Sequence, residues 1–201
     1  MSTTRPRSQA RETRERTRAQ IIEAATELVR ERSYAELNVG ELMARAGIGR
    51  TLFYRHFDDL GDLLIRANRK PLQEMFEAQA ALAELASDTE GAGDAARAAI
   101  ELSVAAYRRH GPLLRAIAEA APGDPRIAEG YAAFRARYDA LVAEALRAHA
   151  RRSLADPDET AIALVRLNES YLLDAFGREP RVAEKAAVQT LAEIWDAVIR
   201  G

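Results

Sequence analysis

The chain contains no cysteine. Disulfides and thiolate metal sites are thereby excluded, and the composition suits a reducing compartment such as the cytoplasm. Glycine and proline are scarce, 11 and 7 in 201 residues, and β-branched runs are rare, so little in the sequence favours a sheet. Nowhere do 18 apolar residues follow one another, so no membrane-spanning helix is expected. The Arg-rich start lacks the apolar segment of a secretory signal. The three histidines, His56, His110 and His149, are scattered, and no HExxH, GxSxG, Walker or GxGxxG pattern occurs. Gly47-Ile48-Gly49 is too short to cradle a phosphate chain. No catalytic residue, cofactor or metal site is expected, and the chain does not read as an enzyme.

What is present is helix-forming. Ala, Leu, Glu and Arg dominate, which favours helix throughout, and hydrophobic residues reach 48%, enough for a substantial core. An all-α fold of about nine helices is expected. The net charge of −2 hides an asymmetry. Residues 1–57 carry 11 Arg and 7 Glu, or +4, so the remaining 18 basic and 24 acidic side chains leave −6 on residues 58–201. A basic head on an acidic body suits a protein that meets a polyanion at one end.

The richest stretch is 38–57, NVGELMARAGIGRTLFYRHF. Val39, Leu42, Met43 and Ala46 fall on one helical face. Asn38 stands where an N-cap belongs, and Gly47 stands at the C′ position, where a left-handed backbone costs glycine least. Ile48 can plug the corner before a second short helix that begins at Arg50. Helix, tight glycine turn and short helix form the helix-turn-helix pattern, whose second helix enters the major groove of DNA.

This stretch resembles the TetR family of transcriptional regulators, on Ala46-Gly47-Ile48 at the turn and on Leu52-Phe53-Tyr54-Arg55-His56-Phe57 after it. The resemblance implies a three-helix DNA-binding head. Asn38, Gly49, Arg50, Thr51, Tyr54, Arg55 and His56 are its candidate DNA residues, with Tyr54 and His56 similar to the family's phosphate-contacting pair. Arg50 can fork onto guanine, Thr51 can reach a phosphate or a thymine methyl, and Phe53 and Phe57 belong to the core. Two positions depart from the pattern. Gly49 replaces a frequent Ser and its capping hydroxyl, and Leu60 replaces a frequent Lys that meets phosphate.

Three regions are expected: a disordered basic arm at 1–12, the head at 13–57, and a helical ligand-binding and dimerisation body at 58–201. The first helix should span about 13–32. Pro71 should kink or break the helix that joins head to body. Helix is expected to continue to about residue 85, followed by a polar loop over 87–94. Further helices are expected over about 95–110, 113–120 and 126–152, with breaks at Gly111-Pro112 and Pro122-Gly123-Asp124-Pro125. The last two run from about 159 to Phe176 and from Glu179-Pro180 to about Arg200. Both are apolar on more than one side: Ile162, Val165 and Leu172 mark one face of the first, Leu164, Leu167 and Tyr171 another. A helix of this kind must bury both faces, so a twofold homodimer through the last two helices is expected. It would set two heads about 34 Å apart for the half-sites of a palindromic operator.

The C-terminal half is similar to the EthR-type branch of the same family, on Leu167-Asn168-Glu169, Phe176-Gly177 and Glu193-Ile194-Trp195. That similarity implies a largely apolar tunnel for a small effector, with Tyr131, Phe134, Tyr138 and Trp195 where the branch has pocket-lining aromatics and Asn168 where it has an Asn that meets a ligand carbonyl. Tyr107 and Tyr171 join the candidates as further aromatics of the same half, which suit an apolar pocket. Asn168, on the same face as Val165 and Leu172, can pair with backbone, with Glu169 or Arg166, or with a ligand carbonyl. Leu141, Val142 and Val165 replace more polar residues of that branch. The expected function is a ligand-responsive repressor that binds double-stranded operator DNA as a homodimer. An activator, or a helical partner-binding protein without small-molecule sensing, is the alternative.

Overall fold

The computed structural model describes residues 5–76, 92–151 and 153–200. Among these residues it contains eight α-helices, three short 3-10 turns and no strand. The helices are α1 (Arg5–Glu31), α2 (Val39–Arg45), α3 (Leu60–Ala67), α4 (69–76), α5 (Ala92–Ala120), α6 (Pro125–His149), α7 (Pro157–Phe176) and α8 (Glu184–Arg200). The 3-10 turns are Tyr34–Glu36, Arg50–Arg55 and Ala121–Gly123.

Side chains set four of the helix starts. Asn38, Asp59, Asp124 and Asp156 each accept a hydrogen bond from a backbone amide in the first turn of α2, α3, α6 and α7, which satisfies one of the donors a helix start leaves over. Pro125 and Pro157 occupy first-turn positions, where a missing amide proton removes no bond. Gly47 adopts φ +67°. The Ile48 amide donates to the Met43 carbonyl at 3.0 Å and the Gly47 amide to the Ala44 carbonyl at 3.1 Å. These two bonds are the Schellman pair that stops α2 and turns the chain.

The first helix begins well before the expected position. Residues 5–12, assigned by sequence to a disordered arm, are helical and continuous with α1. Ala, Gln, Arg and Glu are good helix formers, and the Arg11–Glu15 pair at 3.0 Å supports the extension. Residues 1–4 lie outside the described residues.

A second correction concerns Gly111-Pro112. The expected break is absent, and one helix of 29 residues, α5, runs through it with Pro112 inside. Tertiary contact explains why. Residues 111–117 are all buried, and a β-carbon on Gly111 would lie 2.1 Å from the Phe176 carbonyl oxygen. Glycine is there for close helix approach, and burial of both halves of α5 outweighs the missing proline amide. Residues 92–94, expected in a loop, also belong to α5. The rest of that loop and the helical continuation to residue 85 lie outside the described residues. Among the described residues, merging the two expected helices removes one, the 3-10 form of segment 50–55 removes another and a break at Asn68 adds one, which leaves eight rather than nine.

The break between head and body falls three residues before Pro71. Helix α3 ends at Asn68, and Pro71 then occupies the first turn of α4. The head core packs Ile21, Leu28, Leu42, Met43, Phe53 and Phe57 together with Leu63 of α3. A junction cluster joins Val29 of α1, Leu64 and Ala67 of α3, Leu113 and Ala116 of α5 and Ile127 of α6. Beyond it, α5, α7 and α8 pack around Leu172, Phe176 and Leu191, and the far end closes around Leu146, Leu164 and Ile199.

Candidate functional site

The segment after Gly47 is a six-residue 3-10 helix, Arg50–Arg55, rather than an α-helix. Its start, Gly49, provides no side-chain cap, as the missing hydroxyl requires. Phe53 and Phe57 are 0% and 1% exposed, with ring centroids 5.5 Å apart. Those two anchors fix the orientation of the segment. Arg50, Thr51, Tyr54 and Arg55 point outward, and Tyr54 is 56% exposed despite its aromatic ring. Gly49 and Asn38 are exposed beside them, while His56 is half-buried. The Asn38 side chain is engaged, accepting the Glu41 amide at 2.9 Å.

Helix α1 adds charges that the sequence reading did not assign to the site. The Arg14 guanidinium donates to the Arg55 carbonyl at 3.3 Å. Partial burial holds the His56 imidazole below its ordinary pKa, and the positive charges of Arg14, Arg18 and Arg55 add to the effect. Three guanidinium groups and the histidine therefore share one surface. The spacing of Arg14 and Arg18, one turn apart on α1, was the available signal.

The body contains a mostly apolar cavity of 130 Å³ that reaches the head–body joint, walled by Ile65, Asn68 and Leu72 from α3 and α4, and by Tyr107, Tyr131 and Phe134, among others. A smaller cavity of 40 Å³ continues past Tyr107 and Phe134 to Tyr138, Asn168 and Trp195. Six of the seven expected ligand residues thus line one or the other space. Tyr171 does not: half-buried, it packs against the core cluster that contains Leu172 and Phe176, with the Arg181 guanidinium 5.9 Å from its ring centroid. Asn168 accepts a hydrogen bond from the Trp195 indole at 3.1 Å, a partner that the sequence did not suggest.

Glu169 borders both cavities and was not among the expected residues. Tyr131 donates its hydroxyl proton to Glu169, and Arg135 pairs with the same carboxylate at 3.1 Å. Burial, and then this hydrogen bond, raise the Tyr131 pKa well above that of a free tyrosine. Arg135 offsets the carboxylate charge, so the pair is close to neutral. Asn68 was also missed. It is 1% exposed and forms part of the wall of the larger cavity.

Two polar clamps hold head to body. The Arg115 guanidinium on α5 donates to the Val29 and Arg32 carbonyls of the α1 end at 2.5 and 3.0 Å, to the Gly177 carbonyl after α7 at 2.8 Å, and to Glu119. Glu119 in turn accepts the Tyr34 amide at 2.8 Å. On the other side, Arg126 of α6 pairs with Asp59, the cap of α3, at 2.9 Å and with Asp124 at 2.6 Å.

The outer faces of α7 and α8 are less apolar than expected. Leu164 is buried within the chain's own distal cluster, while Leu167 is 40% exposed. Ala163 and Ser170 on α7, and Ala186, Thr190, Glu193 and Ala197 on α8, are exposed as well. No helix among the described residues is long and apolar enough to cross a membrane.

A helix-turn-helix head with an exposed polar face, joined to an all-helical body, is the architecture of a DNA-binding regulator of transcription. Residues 21–67 match the family described as bacterial regulatory proteins, tetR family, and residues 96–201, just over half the chain, match the C-terminal domain of the transcriptional regulator EthR. The chain belongs to the TetR family, whose members are regulators of transcription rather than enzymes, and its body is of the EthR type. The HTH-type transcriptional regulator EthR of Mycobacterium tuberculosis is 28% identical over 186 residues, covering 90% of this chain and 86% of that protein. Among solved structures, the TetR family regulator PfmR of Thermus thermophilus superposes with a TM-score of 0.71 at 19% identity, covering 90% of this chain and 97% of that one. The ketosteroid transcriptional regulator KstR2 of Mycobacterium tuberculosis reaches 0.69 at 16% identity, covering 92% and 95%. These two likenesses concern the fold.

Proposed function

We propose that the chain is a ligand-responsive repressor that binds a palindromic operator as a homodimer and is released by a small, largely apolar effector. The observation that carries the DNA half is the recognition segment, with Phe53 and Phe57 locked inside and Arg50, Thr51, Tyr54 and Arg55 turned out. Arg50 reads a base edge, while Tyr54, His56 and the guanidinium groups of Arg14, Arg18 and Arg55 neutralise and position phosphates. Asn38 and Gly49 bring the starts of α2 and of the recognition segment close to the backbone. The outer faces of α7 and α8 form the dimer contact, where the small side chains of Ala163, Ala186 and Ala197 permit close helix approach around Leu167.

The sensing half rests on the position of the cavity, with the α3–α4 break in its wall. An effector that fits only the DNA-incompetent arrangement shifts the population toward it, and its leverage equals its differential affinity for the two states. Tyr107, Tyr131, Phe134, Tyr138, Asn168 and Trp195 line its path.

The test begins by selecting bound fragments from the source genome and measuring operator affinity by fluorescence anisotropy, with the assembly state followed by sedimentation. A dimer that binds a selected site and loses at least tenfold in affinity at saturating benzyl alcohol, an apolar probe suited to the cavity, supports the proposal. Operator affinity that stays the same with the cavity filled contradicts the sensing half. A monomer indifferent to every fragment contradicts the whole.

A further inference from the structure

Asn68 combines features that a merely structural asparagine does not need. It is 1% exposed, it lies in the wall of the 130 Å³ cavity, and it forms the hinge between α3 and α4. Its side-chain nitrogen donates to the Leu64 carbonyl at 3.1 Å and to the Leu113 carbonyl at 3.4 Å. Both neighbours are acceptors, so the orientation of the amide is fixed: nitrogen toward the carbonyls, oxygen away. That oxygen is buried and has no hydrogen-bond partner in the protein. A buried carbonyl without a donor is costly, and such groups are rare in folded chains.

The remaining wall narrows what can supply the donor. Ile65, Leu72, Leu114, Ile117, Ile127 and Phe134 present hydrocarbon to the space. The Tyr131 hydroxyl is committed to Glu169, and Arg135 pairs with the same carboxylate. The other charged group of the wall, Arg126, pairs with Asp59 and Asp124, so neither a cationic nor an anionic ligand finds an unpaired countercharge.

We infer that the cavity takes a neutral, mainly hydrocarbon molecule carrying one hydrogen-bond donor, a hydroxyl or an amide N–H, and that this donor meets Asn68 Oδ1 at the hinge. This inference rests on the effector reading above and adds the chemical class and the anchoring atom. The donor end lies at the head, where Asn68 joins the last turn of α3 to the first of α4 through its backbone: its amide donates to the Leu64 carbonyl at 2.9 Å and its carbonyl accepts the Leu72 amide at 3.0 Å. The cavity volume is similar to that of an engineered apolar cavity of about 150 Å³ that admits benzene, so a single-ring probe fits.

Benzyl alcohol and anisole are isomers of nearly equal volume, and only the alcohol donates a hydrogen bond. Titration calorimetry on the full chain should show the alcohol binding about tenfold more tightly, the effect of one recovered buried hydrogen bond. In Asn68→Leu the preference should fall to about unity, with anisole still bound. Equal affinities in the wild-type protein, binding of neither isomer, or a preference that survives Asn68→Leu would each overturn the inference. The wild-type comparison decides even if the variant does not fold. Operator affinity is measured separately in the same samples. An alcohol preference that depends on Asn68, but leaves DNA binding unchanged, supports the Asn68 site while removing the sensing role.

Discussion

Arg50 and Tyr54 are both exposed on one short segment, and chemistry separates the roles proposed for them. A guanidinium matches guanine bidentately, and such a pair discriminates by about 1–3 kcal/mol. Arg50→Ala should therefore weaken binding to the operator by about tenfold or more and leave binding to random DNA nearly unchanged. Tyr54→Phe should weaken both by a similar factor, because phosphate contacts carry no sequence information. Anisotropy titrations on both duplexes read the difference, and equal losses for Arg50→Ala on the two would remove its base-reading role. His56 makes a separate prediction. Burial and three neighbouring arginines depress its pKa in the free protein, so its charging opposes folding as pH falls below the unfolded value of about 6.5. A phosphate beside it would raise that pKa. The complex would then take up a proton, and affinity should rise as pH falls from 8, levelling off below the depressed value of the free protein. His56→Gln should flatten this slope, and a slope unaltered by the substitution would place the linked proton elsewhere.

Among the elements, the junction rather than any single helix holds the head against the body. Arg115 reaches three backbone carbonyls on two other parts of the chain. Arg115→Met keeps the volume and leaves those acceptors and Glu119 without their donor, so a loss of about 3 kcal/mol in unfolding free energy is expected. Urea denaturation measures it, and a change under about 0.5 kcal/mol would show that the clamp does not hold the junction. The same contrast explains what the sequence revealed. The α2 turn was legible because Asn38, Gly47 and Ile48 act locally, through caps and one left-handed residue. The continuity of α5 was not, since Gly111 and Pro112 read as a stop until the Phe176 backbone packs against them. Asn68 and Glu169 were missed for a related reason: only the packing of α3, α6 and α7 makes them neighbours of one cavity. Tyr171 was included as one of the aromatic residues of the second half, yet it stands three residues from Asn168, and the roughly 60° between such positions on a helix carries it past the cavity edge.

For the molecule as a whole, a basic head of +4 on a body of −6 favours meeting the polyanion at one end, and the proposed twofold pairing of two such heads would turn a short recognition segment into an operator reader. Affinity should then fall steeply with salt, since each neutralised phosphate releases counterion. The most direct measurement is an anisotropy titration of the selected operator and a scrambled duplex of the same length across a salt series, with the wild-type chain and Arg50→Ala. The account predicts saturation at one dimer or more per operator, at least a hundredfold preference over the scrambled duplex, and a preference sharply reduced in Arg50→Ala while the salt slope changes little. Equal affinity for the two duplexes in the wild-type chain, or a preference that Arg50→Ala leaves intact, would contradict it.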